Sequence, residues 1–333
     1  MQNKKQERII SDSTVLVTGG AGFIGSNIIE KLITQNNKVI CLDNLSTGKI
    51  KNIVDILNHD NFTFINNDIR DINVCQNACK GVDIVLHHAA LGSVPRSIND
   101  PITTNSVNID GFLNMLTAAR DNNVKRFIFA ASSSTYGDSK NLPKVEEIIG
   151  NPLSPYAITK YVNELYAKVF SDLYGLETIG LRYFNVFGKN QDPNGAYAAV
   201  FPKFIKSLIN HEAPIIHGDG SQSRDFTYIA NVVMANELAA TTNNPKALNT
   251  IFNVAFGENN SLNDLTKELI EVLSQFDSEV TKIKPQYGPI RQGDIKDSLA
   301  SIKKAKELLD YNPQFDVHEG LKKAIKWYYN NLK

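Results

Sequence analysis

The turn Gly19-Gly-Ala-Gly-Phe-Ile-Gly25 constrains this chain more than any other segment. It follows the apolar run Thr14–Thr18 and opens a helical stretch over Phe23–Gln35. Gly19, Gly22 and Gly25 satisfy G-x-x-G-x-x-G, and counting from Gly20 gives G-x-G-x-x-G. Such glycines make a tight turn, let the backbone approach a pyrophosphate, and let helix and strand pack closely. The helix opening at Phe23 and Ile24 would present its first amides to phosphate. Spaced glycines alone are a weak signal. Here they lie between a strand and a helix, and Asp43 ends the next apolar run, which makes a dinucleotide site the better reading. A carboxylate at that place accepts from the adenosine ribose hydroxyls and repels a 2′-phosphate, so NAD is expected over NADP.

Further strand-length runs lie at Val39–Asp43, Phe62–Asn66, Val82–His87, Phe127–Ala131 and Thr178–Tyr183. Helical stretches are expected at Asn108–Asn122, Pro155–Tyr174 and His318–Leu332. Continuous Val/Ile/Leu runs separated by helices predict an α/β protein with a Rossmann-type doubly wound parallel sheet. After about Gly188 the alternation becomes irregular, with polar loops at Gln191–Ala198 and Gly218–Arg224. A smaller, interleaved C-terminal substrate domain is expected there. The division predicted is 12–189 and about 226–256 for the NAD-binding Rossmann domain, and about 190–225 and 257–331 for the second. Asp68 and Ile69 follow the third strand and could flank the adenine. Ala89 and Ala90 follow the fourth, where small side chains admit a cofactor to the backbone.

Charge and cysteines bound the partners. Lys plus Arg and Asp plus Glu are 35 each, so neither nucleic acid nor a membrane surface is demanded. Cys41, Cys75 and Cys79 read as core thiols of a reducing compartment. No Cys or His set completes a metal site, and the adjacent His87 and His88 would point to opposite faces of a strand. Met1–Ser13 lacks an apolar core, and no run approaches the roughly 18 apolar residues of a membrane helix. A cytoplasmic protein is expected.

Tyr156 and Lys160 form Y-x-x-x-K, which places both on one helix face. A tyrosine ordinarily ionises near pH 10, but an adjacent ammonium and an oxidised nicotinamide both favour the phenolate. Tyr156 could then remove a hydroxyl proton as hydride leaves. Ser132-Ser-Ser-Thr-Tyr-Gly137 directly follows the fifth strand, where open sheets bind ligands. Each piece has a plainer reading: an exposed Tyr/Lys face, or a solvated serine turn. Their conjunction, in order after the glycine turn, is far more specific than any member.

These residues closely resemble the extended short-chain dehydrogenase/reductase family, from about Thr14 to Trp327. A closer similarity, to bacterial UDP-N-acetylglucosamine 4-epimerases of surface-polysaccharide pathways, is carried by His88-Ala-Ala-Leu-Gly-Ser-Val-Pro-Arg-Ser97, Ala130-Ala-Ser-Ser-Ser-Thr-Tyr-Gly137, Asn151-Pro-Leu-Ser-Pro-Tyr-Ala-Ile-Thr-Lys160, Leu181-Arg-Tyr-Phe-Asn-Val-Phe-Gly188 and Gln191-Asp-Pro-Asn-Gly-Ala-Tyr197. The resemblance implies a UDP-sugar substrate bound in the second domain and reversible C4 epimerisation through a 4-keto sugar. Tyr156 would take the 4-hydroxyl proton with Ser132 bridging, and Lys160 would hold the nicotinamide ribose. It adds Asn44, Gly48, Asn108 and Tyr183 to the cofactor contacts. It assigns Gly92, Ser93, Ser133 and Ala199 to the sugar, and Asn185, Arg224 and Arg291 to the diphosphate. His217 falls beside the uracil and Asp294 on the uridine ribose. Either arginine alone reads equally as a surface ion pair.

Among relatives, 4,6-dehydratases need a carboxylate pair that Ser132–Thr135 lacks, and C3/C5 epimerase-reductases need a Cys/His pair also missing there. Strict glucose/galactose epimerases often carry a large aromatic at the position of Ser298. The small side chain implies room for an N-acetyl group, unless Ser298 is an incidental surface residue. UDP-N-acetylglucuronate, with Arg96 as a candidate partner for its carboxylate, and UDP-glucose stay open as substrates. A non-catalytic NAD-sensing regulator is the rival of another class, and such proteins usually lose the Tyr or the Lys. The resemblance also implies a homodimer through helices near Asn108–Asn122 and Pro155–Tyr174, whose faces could instead serve only the core.

Overall fold

The computed structural model describes residues 8–192, 200–289 and 296–332. Seven strands form one sheet: β1 (Thr14–Thr18), β2 (Lys38–Asp43), β3 (Phe62–Asn66), β4 (Ile84–His87), β5 (Arg126–Ser132), β6 (Glu177–Tyr183) and β7 (Thr250–Val254). Their order is β7-β6-β5-β4-β1-β2-β3, and every pairing is parallel. The apolar runs are buried on both faces, as such a sheet requires: Val15, Leu16 and Val17 are fully enclosed, as are Phe127, Ile128 and Phe129. The layers and the second unit are built by α1 (Phe23–Ile33), α2 (Ile72–Ala78), α3 (Gly111–Asp121), α4 (Pro155–Tyr174), α5 (Val200–Ile209), α6 (Ile229–Thr241), α7 (Leu262–Ser274) and α8 (Val317–Leu332). Helices α1 and α6 cover one face, packing Ile28, Ile29, Val232 and Ala239 into one cluster. Helices α2, α3 and α4 cover the other, with Cys75, Phe112, Met115 and Phe170.

The strand order reverses between β1 and β4, and a doubly wound sheet opens its ligand crevice at such a point. The glycine turn leaves β1, and the segment beginning at His88 leaves β4, so both enter that crevice. His87 and His88 do point apart. His87 packs against Phe112 and Phe127, whereas His88 stacks on Tyr183. The three cysteines are buried free thiols, as expected.

A third cluster joins Phe187, Phe201, Ile205, Phe226, Leu269, Leu321 and Tyr328, from α5, α7, α8 and the segments between them. It draws mostly on residues expected in the second unit. One expected boundary needs correction. Residues 300–311, assigned above to that unit, return to the first: Ala300, Ile302, Ala305, Leu309 and Tyr311 pack into the β1/α1/α6 cluster. The helix expected over Asn108–Asn122 is also interrupted. A π-turn occupies Ser106–Asp110 before α3 begins at Gly111. Gly111 lies so close to Ile69 that a Cβ would fall 2.6 Å from its side chain.

Asp225 ties the units together. Its carboxylate accepts from the amides of Phe256 (3.2 Å), Gly257 (3.1 Å) and Ala300 (3.2 Å). Its own amide donates to Ser298 O at 2.8 Å, and its carbonyl accepts from Asn185 Nδ2 at 3.0 Å. Burial pushes its pKa up to about 7, and the donating amides oppose that rise.

Candidate active site

A cavity of about 570 Å³ runs along the carboxyl ends of β1, β4 and β5. Its floor at one end is the glycine turn. A Cβ at Gly25 would lie 2.3 Å from Gly19 O, and one at Gly19, where φ is +67°, would lie 2.7 Å from Ala89 N. Only glycine therefore lets this turn close beneath the segment leaving β4. Gly22, Phe23 and Ile24 line the same end, with Gly22 as the N-cap of α1. Asp43 stands at the end of β2, where it accepts from the amides of Ala21 (2.9 Å) and Leu45 (2.8 Å). Burial raises its pKa while those amides lower it. A carboxylate has about four acceptor positions, so it retains capacity for ribose hydroxyls. Asp68 receives Arg70 through Nε (3.0 Å) and a terminal nitrogen (2.7 Å), and Asn44 Nδ2 at 2.7 Å. The guanidinium holds the Asp68 pKa down at about 2. Asn44, Asp68, Ile69, Ala89 and Ala90 all line the cavity.

Two residues expected at the cofactor, Gly48 and Asn108, are not among those lining the cavity. Gly48 does not line the cavity; a Cβ there would sit 2.8 Å from both Asp43 carboxylate oxygens, so it makes room for that side chain. Asn108 is buried by the π-turn. It accepts from the Leu91 amide (2.8 Å) and donates to Leu91 O (3.2 Å) and Thr159 Oγ1 (3.1 Å). It clamps the segment leaving β4 to α4 without facing the cavity.

Helix α4 carries the reactive pair. Ser154 caps it by accepting from Ala157 N at 3.1 Å, and Pro155 occupies its first turn. Tyr156 and Lys160 both line the cavity, with Lys160 Nζ 6.0 Å from the Tyr156 ring centroid. Lys160 is 3% exposed and donates to Ala130 O at 2.8 Å. Burial brings its pKa down to about 8, and Glu164 pulls it back up. Burial also raises the Tyr156 phenol, while a hydrogen bond with Ser132 lowers it. Ser132 Oγ accepts from Ser134 N (3.1 Å) and Ser134 Oγ (2.8 Å), which fixes its lone pairs. Ser133, Tyr183 and Asn185 complete this end, Asn185 with φ at +31°.

His88 also lines the cavity; it heads the stretch that carries the family similarity, but its side chain was weighed only as a metal ligand. Both ring nitrogens are buried without a partner at hydrogen-bond geometry among the described residues. Burial and the Lys160 charge bring its pKa down to about 3, although the Asn236 side chain beside it favours the charged form. Leu42 and Asn67, at the ends of β2 and β3, were legible from strand ends. Ser46, Thr47 and Val107 carried no signal.

On the substrate side, Gly92 and Ser93 line the cavity mouth. Ser93, with φ at +112°, caps the helix Val94–Asn99 by accepting from Arg96 N at 3.3 Å. Arg96 itself is not among the lining residues. Arg224 and Ser298 meet in register on a short parallel ribbon, and His217 pairs with Gly288 on another. The structure thus brings Arg224 and Ser298 together, yet none of these three lines the cavity. Ala199, Arg291 and Asp294 lie outside the described residues. Among the described residues no cluster of His, Cys, Asp and Glu could hold a metal, and no helix is long and apolar enough to cross a membrane.

The model of the NAD dependent epimerase/dehydratase family matches residues 15–255. The chain belongs to this family. It is 40% identical over 319 residues to a putative UDP-glucose 4-epimerase of Methanocaldococcus jannaschii, covering 95% of this chain and 99% of that protein. A UDP-N-acetylglucosamine 4-epimerase of Methanobrevibacter ruminantium, solved with UDP-N-acetylmuramic acid, superposes with a TM-score of 0.90 at 42% identity (96% and 99% covered). A UDP-glucose 4-epimerase of Thermotoga maritima, solved with UDP-glucose, gives 0.87 at 37% identity (96% and 100% covered). The cofactor is NAD, and the residues fit it: a cradle that any Cβ would fill, and a carboxylate at the end of β2. Gly25→Ala is expected to lower NAD affinity by at least about tenfold, because the turn must open to admit the methyl. Absorbance of the purified protein at 260 and 280 nm, with calorimetric titration of NAD, measures it.

Proposed function

We propose that this enzyme interconverts UDP-GlcNAc and UDP-GalNAc, that is, catalyses reversible C4 epimerisation of a UDP-N-acetylhexosamine. The observation that carries the reading is the convergence of Tyr156, Ser132 and Lys160 on the cavity that also holds the glycine turn. When bound, NAD supplies a hydride acceptor that can return the hydride to the same carbon. Tyr156 takes the proton of the sugar 4-hydroxyl, with the Ser132 hydroxyl bridging, and returns it once the 4-keto sugar has presented its other face. Burial raises the Tyr156 phenol and the Ser132 hydrogen bond opposes the rise; the Lys160 ammonium and the positive charge of a bound oxidised nicotinamide would both favour the phenolate. Asn185 and Arg224 serve the diphosphate, a task for which guanidinium geometry is suited. Open space around Gly92, which lines the cavity, leaves room for an N-acetyl group.

The protein is proposed to work as a cytoplasmic homodimer in polysaccharide synthesis. The exposed apolar ridge comprises Ile98, Ile102, Ile158, Leu165, Val169 and Leu173, with Ile102 82% and Leu173 69% exposed. It lies on α4 and the helices Val94–Asn99 and Pro101–Asn105, and a contiguous ridge of this kind marks an interaction surface. Helix α3, the other helix expected at the interface, turns Phe112, Met115 and Leu116 to the core. Leu173→Glu is expected to halve the mass measured by light scattering.

Product analysis tests the activity. The purified enzyme, incubated separately with UDP-GlcNAc, UDP-glucose and UDP-N-acetylglucuronate, should yield UDP-GalNAc from the first and little C4 epimer from the others. Inversion of none would defeat the epimerase reading, and preference for the uronate would replace the substrate. Tyr156→Phe should lower kcat by at least about a hundredfold with NAD content unchanged. Full activity in that variant would leave only a role other than the proton carrier for Tyr156.

A further inference from the structure

Glu164 lies one helical turn beyond Lys160 on α4, so the two share a face. Its carboxylate takes both arms of Arg182 from β6, Nε to Oε1 at 2.8 Å and a terminal nitrogen to Oε2 at 2.7 Å. The two side chains are 3% and 5% exposed. Arg182 reaches further. It donates to Glu146 O at 3.0 Å and sits 4.8 Å from the centroid of the Tyr136 ring, in the serine turn that bears Ser132. The Tyr136 hydroxyl donates to Asn253 Oδ1 at 2.7 Å. Asn253 Nδ2 donates in turn to Lys144 O (3.0 Å) and Ser301 O (3.1 Å).

A buried ion pair is an expensive way to hold a helix on a sheet, since an apolar pair of similar volume often holds it as well or better. What an apolar pair cannot supply is negative charge one turn from a buried ammonium. We propose that Glu164, fixed by Arg182, is a positioning residue that keeps Lys160 charged and seated on Ala130 O beside Tyr156. This rests on Tyr156 and Lys160 being the reacting pair.

The groups around Lys160 support the assignment. Tyr156 and Glu164 lie one turn to either side of it on its own helix, the Ala130 carbonyl of β5 accepts from it, and the Arg182 guanidinium of β6 is turned onto Glu164. His87 and His88, at the end of β4, both feel the Lys160 charge and are driven neutral by burial, so neither offsets it. Burial alone drives the Lys160 pKa down, and Glu164 is the charged group that opposes the fall. Without it the lysine loses its proton at lower pH, and the phenolate of Tyr156 loses its neighbouring charge.

The test is Glu164→Gln in the NAD-loaded enzyme. Protein labelled with ζ-15N-lysine gives the Lys160 titration by NMR, the signal being assigned by its loss in Lys160→Met. The expected result is a midpoint lower by about one pH unit, with the alkaline limb of the kcat profile moving down by the same amount. Glu164→Asp, which keeps the charge, should restore the midpoint. If Glu164→Gln fails to fold, the double variant E164Q/R182Q leaves no unpaired buried charge and carries the same expectation. A midpoint equal to that of the wild type overturns the proposal. The NMR midpoint is read without turnover, so failure of the epimerase assay and failure of this inference are separate results.

Discussion

Asp225 sets how the two halves of the molecule face each other. A carboxylate that deep is tolerable only because three backbone amides, two from the turn after β7 and one from Ala300, converge on it. Its amide and carbonyl add bonds to Ser298 and Asn185. One residue therefore fixes the spacing between the ribbon bearing Arg224 and Ser298, the end of β6, and the sheet. The active-site cleft inherits that spacing. An aliphatic residue would leave three amides unsatisfied in the interior.

Within the cleft, charge is arranged by burial. Lys160 is enclosed, the imidazoles beside it are neutral, and the phenol is raised by burial against the pull of the Ser132 hydroxyl. In water these groups would titrate independently. In the interior each sets its neighbour, so proton transfer at Tyr156 depends on residues that never touch a substrate.

The parts of the fold legible in the sequence were those determined by local physics. Strands β1 and β3 and helix α4 fall where the apolar runs and the helical stretch over Pro155–Tyr174 place them. The glycine turn was legible because backbone approach leaves one residue type possible. What was not legible is whether a motif residue meets the ligand or supports one that does. Gly48 and Asn108 occupy ligand-contact positions in the pattern, yet one makes space for Asp43 and the other clamps Leu91. Glu164 carried no signal at all, since its partner lies on β6 and its effect is electrostatic. The return of residues 300–311 to the first core was hidden for a similar reason. Ala305 and Leu309 look like any amphipathic pair until the surface they cover is known.

The π-turn at Ser106–Asp110 joins two requirements that a regular helix could not meet together. Ahead of it, Ile98 and Ile102 face outward; behind it, Phe112, Met115 and Leu116 face the core; within it, Asn108 reaches Leu91 and Thr159. Removing one residue would restore even α-helical spacing and rotate one side relative to the other by about 100°. Either the outer ridge or the clamp on the cavity rim would then be misdirected. Surface loops usually tolerate length changes because nothing downstream depends on their register. Here a single turn sets the phase of both the exterior and the nucleotide cleft, so its length is as constrained as the identity of the reacting residues.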